Sequence, residues 1–168
     1  MDLQFRIIRN THDETSMGHK IWFHPAAGCD AISATANAPG FTPLVAVARH
    51  FAWDYGMLEA AASACNDKGE IAIVTSTVPK LFLVPATKGH GEVKFLITDL
   101  LKATANVGAQ GLHFTHFGFL QGRVPEEEIS VVLDEILSLR ISLTLQRIVF
   151  DIDVRAERRL YNLMRPKR

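Results

Sequence analysis

From residue 30 onward, short apolar runs of strand length alternate with longer stretches of helical periodicity, and this order constrains the fold more than any other feature of the chain. Residues 70–75 and 81–84 carry Ile71, Ile73, Val74, Leu81, Phe82 and Val84, a β-branched and aromatic content that suits a pleated, half-buried surface. Residues 112–114 and 147–153 read as further strands. Between these runs the period changes. Thr42 and Pro43 open a helix over 44–52, the hydroxyl capping free N–H groups and the proline losing no bond at the first helical position. Residues 57–66 form a second helix whose Ala60, Ala61, Ala62 and Ala64 allow close approach to a sheet. It stops at residues 67–69. Phe95, Leu96, Asp99, Leu100 and Ala103 recur at three and four within 92–107, the spacing of a helix with one apolar face, and Gly108 ends it. Pro125 begins another helix with Glu126, Glu127 and Glu128 in its first turn, where carboxylates favour the positive end; Ile129, Val132, Leu133, Ile136 and Leu137 make its stripe. Residues 155–164 close the chain as a helix.

The first thirty residues are organised differently. Leu3, Phe5 and Ile7 alternate with Gln4, Arg6 and Ile8, the period of two that marks a strand. Residues 20–23 and 31–34 are short strand candidates with only the turn residues Pro25 and Gly28 between them. Strands without an intervening helix, followed by strands alternating with helices, predict a mixed sheet with parallel strands in its middle. The expected fold class is α/β, a three-layer α/β/α sandwich with a mixed central sheet, spanning residues 1–168 as a single domain. At 168 residues with 48% hydrophobic and 21% charged side chains, the chain has enough apolar surface for one core and is not of disordered composition.

Eighteen basic side chains balance eighteen acidic ones, so no global field draws the protein to nucleic acid or to an anionic membrane. The basic cluster of Arg155, Arg158, Arg159, Arg165, Lys167 and Arg168 reads as the solvated face of a terminal helix. Residues 1–9 lack the charged and then long apolar pattern of a signal peptide, and no transmembrane stretch follows. Two cysteines, Cys29 and Cys65, are no disulfide framework, which fits a reducing compartment and a cytoplasmic location. Neither has a basic neighbour in the sequence that would mark a nucleophile. His113 and His116 stand an odd number of residues apart, which on a strand turns them to opposite faces. No metal site and no cofactor are expected.

In open α/β sheets ligands bind beyond the carboxyl ends of the strands, so chemistry is sought in the segments 35–42, 86–91 and 115–124. The first holds Asn37, Pro39, Gly40 and Phe41 just before a helix start. It reads either as a phosphate cradle made of backbone amides or as an ordinary turn. The third runs His116, Phe117, Gly118, Phe119, Leu120, Gln121, Gly122, Arg123, Val124. Its glycines permit close approach, Arg123 suits a phosphate, and Phe117 or Phe119 suits a flat ring or, equally, a plug in the core. No Gly-x-Ser-x-Gly elbow exists around Ser33, Ser63 or Ser76.

Taken together, the element order and these loops resemble the macro domain family, which binds ADP-ribose and related nucleotides. Residues 30–37 (Asp30, Ala31, Ile32, Ser33, Ala34, Thr35, Ala36, Asn37) are similar to that family's strand ending in two asparagines, with Asn37 in the second place and Ala34 in the first. Residues 114–125 match the length and position of its second phosphate loop. Where the family commonly has a Gly-Asp pair contacting adenine, this chain has His24 and Pro25. Of the glycine run in its first phosphate loop, Gly40 remains, between Pro39 and Phe41. The resemblance implies a nucleotide-derived, ADP-ribose-like small-molecule partner held by Asn37, Gly40, Phe41, Gly118, Phe119, Gln121, Gly122 and Arg123. Two alternatives stay open. One is a scaffold that keeps the fold with a degenerate pocket; the other is a hydrolase of ADP-ribosyl esters or phosphates, in which Asn37 positions a ribose.

Overall fold

The computed structural model describes residues 2–8, 25–36, 43–85, 90–115, 134, 138 and 144–153. Nine elements follow one another within these residues: β1 (Asp2–Ile8), β2 (Ala31–Thr35), α1 (Pro43–Phe51), α2 (Tyr55–Lys68), β3 (Ala72–Val74), β4 (Lys80–Val84), α3 (His90–Asn106), β5 (Gly111–Phe114) and β6 (Arg147–Asp153). The strands form one six-stranded sheet in the order β1-β6-β5-β2-β4-β3. All neighbours are parallel except β3, which runs antiparallel to β4. The expected mixed sheet is therefore present, its single reversal at one edge. The strand candidate at 20–23 and the closing helix at 155–164 lie outside the described residues, as does most of the helix opened by Pro125, of which Asp134 and Ser138 are helical.

Alternation along the strands sends side chains to two faces, and each face has its own core. Ala31, Phe82, Val84, Leu112, Phe114, Ile148 and Phe150 point to one side and meet Leu96, Ile97, Leu100 and Leu101 of α3. Ile32, Ala34, Leu81 and Leu83 point to the other and meet Leu44, Val47 and Ala48 of α1 with Leu58, Ala62 and Cys65 of α2. Helices on both faces make the three layers. Strands buried on both faces have to be apolar throughout, which is why β4 reads Leu-Phe-Leu-Val without polar alternation.

Two helix faces differ from the sequence reading. Phe95 is 73% exposed, while Leu96, Ile97, Leu100 and Leu101 are buried; the buried stripe of α3 is rotated by one residue from the one expected. On α2 the buried residues are Leu58, Ala62 and Cys65, so Ala60 and Ala64 are exposed and the alanines are not the contact face as a group. Leu58 and Cys65 fill more space than alanine at the same depth, and burial follows the larger apolar group. The helix also starts earlier than residue 57. Asp54 caps it by accepting a hydrogen bond from the Gly56 amide at 3.0 Å, and Gly69 closes it in the left-handed region at φ 64°.

Candidate functional site

The order of strands fixes where a ligand crevice belongs. From β2 the chain passes through α1 and α2 to β3 and β4 on one side, then returns through α3 to β5 on the other side of β2. Strand order thus reverses at β2, and crevices form beyond the carboxyl ends of strands at such a point. The exits of β2 and β5 lie side by side, since Ser33 pairs with Phe114 and the Thr115 amide donates to the Ser33 carbonyl at 3.3 Å. Ala36 is held just as firmly. Its amide donates to the Val84 carbonyl at 2.8 Å, and its carbonyl accepts from the Asn66 side-chain amide at the end of α2.

Each of the eight residues expected to contact ligand, Asn37, Gly40, Phe41, Gly118, Phe119, Gln121, Gly122 and Arg123, lies outside the described residues. The segments that carry them do begin at adjacent points, after Ala36 and after Thr115. His24 and residues 86–89 are likewise outside. Thr115 was not singled out in the sequence, and it stands apart here: it is buried at 3% exposure, and its Oγ1 has no hydrogen-bond partner among the described residues. A buried Thr at a strand end is an ordinary residue in sequence, so no signal was there to find.

A second polar group lies near the same end of the sheet. Asp151 of β6 receives Arg6 Nε on Oδ1 at 2.8 Å and faces His113 Nε2 through Oδ2 at 2.5 Å. Asp151 and His113 are 1% and 2% exposed. The short distance to a carboxylate places a proton on Nε2, so the Arg6 Nη2 atom 3.2 Å away is a neighbour rather than a donor to that nitrogen. Arg6 also donates to the Pro25 carbonyl at 3.4 Å, and Arg147 donates to the Ala27 carbonyl at 2.8 Å and to Gln4 Oε1 at 2.5 Å. Cationic side chains from the two strands at one edge thereby tie down residues 25–27. His113 is hydrogen-bonded to a carboxylate, and no group of three or more metal-ligating side chains occurs among the described residues.

Both cysteines are free, and one expectation about them changes. Cys29 lacks a basic neighbour in sequence, yet folding brings the Arg147 and Arg6 guanidinium groups within electrostatic range. Burial nevertheless pushes the Cys29 thiol up, against the pull of Arg147, which is the opposite of an activated nucleophile. Cys65 is buried, and desolvation raises it to about 11. Its thiol donates to the Glu70 carbonyl at 3.0 Å, as a small core residue does.

No family model and no curated protein matches the sequence. Solved structures do match the fold. The macro domain of ganglioside induced differentiation associated protein 2 superposes with a TM-score of 0.62 at 15% identity, covering 82% of this chain and 76% of that one. A Trypanosoma brucei macrodomain in complex with ADP gives 0.59 at 15% identity, over 81% of this chain and 61% of that one. The Oceanobacillus iheyensis macrodomain with ADP gives 0.57 at 13% identity, over 80% and 84%. The chain thus spans less than two thirds of the trypanosomal structure. Its architecture is a three-layer α/β/α sandwich, and more particularly it has the macrodomain fold, as the sequence resemblance implied.

Proposed function

We propose that this chain binds ADP-ribose or a related nucleotide-derived ligand in a cleft between the segments that follow β2 and β5. Asn37, Gly40 and Phe41 contribute from the first, and Gly118, Phe119, Gln121, Gly122 and Arg123 from the second. The observation that carries this reading is the adjacency of the two exits: β2 and β5 are paired parallel strands at the point where strand order reverses. Two segments leaving neighbouring strand ends can offer amides and side chains to one ligand. That two structures of the same fold are described with ADP supports a nucleotide as the occupant. Gly118 and Gly122 are assigned to close backbone approach, which a Cβ would obstruct, and Arg123 to a phosphate oxygen.

Thermal unfolding with ADP-ribose, ADP and NAD tests the reading. A ligand at 100 times its dissociation constant stabilises the folded state by roughly 2.7 kcal/mol, and the upward shift in Tm should be absent in Gly118→Val and Gly122→Val with circular dichroism unchanged. No shift with any of the three nucleotides at millimolar concentration would reject the assignment.

A further inference from the structure

Ala36 lies one residue beyond the end of β2, yet both of its backbone polar groups are committed. The N–H continues the ladder to Val84 of β4. The carbonyl accepts from the Nδ2 of Asn66, a side chain thirty positions away in the last turns of α2. Ala36 itself is fully buried, whereas Asn66 is exposed and adds nothing to the apolar core. Asparagine is also less favourable than alanine within a helix. A solvent-exposed asparagine that costs helix stability and spends its amide on the exit of a strand does more for the exit than for the helix.

The geometry points to Asn66 as the positioning residue of the ligand site, a role that rests on the nucleotide-binding reading above. By holding the carbonyl of Ala36 it fixes the plane of the peptide that joins Ala36 to Asn37, and so the direction in which the chain leaves β2. The Val84 bond fixes the other side of the same residue. A ligand-contacting segment aimed before the ligand arrives loses less freedom on binding, which favours affinity. Asn66 touches no ligand; it acts through Ala36.

Two variants and two measurements test this. Asn66→Ala removes the donor while improving helix propensity, and Asn66→Gln keeps an amide donor. Calorimetric titration with ADP-ribose should show at least a tenfold loss of affinity in Asn66→Ala, with Tm within a few degrees of the wild type, and recovery to within threefold in Asn66→Gln. In the ligand-free protein, the ¹H–¹⁵N resonance of Asn37, whose peptide group contains the Ala36 carbonyl, should move in Asn66→Ala and stay near its wild-type position in Asn66→Gln. If the alanine variant matches the wild type in both affinity and Asn37 resonance, Asn66 is not a positioning residue. If the wild type itself fails to bind ADP-ribose, that ligand reading falls, and the Asn37 resonance alone decides: unmoved, it overturns the role of Asn66; moved in the alanine variant only, it supports it.

Discussion

Asp151 shows how much a single buried side chain can organise. Its two oxygens serve different partners, Arg6 on one and His113 on the other, and at 1% exposure it has little water to replace either. Asparagine at that position keeps the shape but offers one acceptor oxygen and no charge, leaving a buried donor unmatched beside an amide. Arg6 is 32% exposed, so water meets part of its lost charge, whereas leaving a buried polar group such as His113 without its partner costs about 1–3 kcal/mol. Asp151→Asn should therefore lower the free energy of unfolding by an amount in that range, read as a lower urea midpoint with the slope unchanged; a loss under about 1 kcal/mol would show the network to be dispensable. The sequence gives no hint of it. Asp151 and His113 are 38 residues apart and Arg6 is 145 residues from Asp151, so the cluster exists only once β1, β6 and β5 are laid side by side. For the same reason Cys29 looked electrostatically isolated in the sequence while its guanidinium neighbours come from β1 and β6.

Elements were legible where periodicity was strong and less so where neighbours decide. β2, β4, β5 and β6 fall within a residue or two of their expected bounds, because a strand buried on both faces leaves a continuous apolar run. The face of α3 differs from the expected one since Phe95 and Ile97 flank the shared Leu96–Leu100 stripe on opposite sides, and only the position of the sheet settles which flank turns inward. Gly111, at the start of β5, is a second case. A Cβ there would overlap the Gly28 carbonyl oxygen and lie 2.9 Å from the Cys29 Cα, so the segment before β2 packs directly on bare backbone. Those contacts are main chain and cannot swing aside. Gly111→Ala should cost about 1–3 kcal/mol through overpacking, read as a lower Tm with native circular dichroism. A variant as stable as the wild type would mean that residues 28 and 29 yield easily.

At the scale of the whole molecule, the layer order followed from the alternation of strands and helices, whereas the position of β1 did not. Periodicity marks the early strands as strands but leaves their neighbours open: β1 pairs with β6 at one edge, and β2 sits inside the sheet between β5 and β4. Strand order depends on long-range pairing that periodicity does not encode. Glycines and aromatics crowded after strands single out the stretches 35–42 and 115–124 in the sequence; what the fold adds is that these stretches follow two paired strands. Asn66 and Thr115 were not legible, because an asparagine in a helix and a threonine at a strand end are ordinary until the partner carbonyl of the one, and the lack of a partner for the other among the described residues, are seen.

If the carboxyl ends of β2 and β5 face the ligand, a ¹H–¹⁵N titration of the labelled protein with ADP-ribose will show it. The opposite end of the sheet serves as an internal control, since there Asp30 accepts from the amides of Gln110 and Gly111 at 3.0 and 2.9 Å and the chain has no assigned ligand role. Saturable shifts should concentrate in residues 36–42 and 115–124, with Asp30, Gln110 and Gly111 unmoved. Shifts centred on Asp30 and Gln110, or none up to millimolar ADP-ribose, would mean that the ends of β2 and β5 do not hold this ligand.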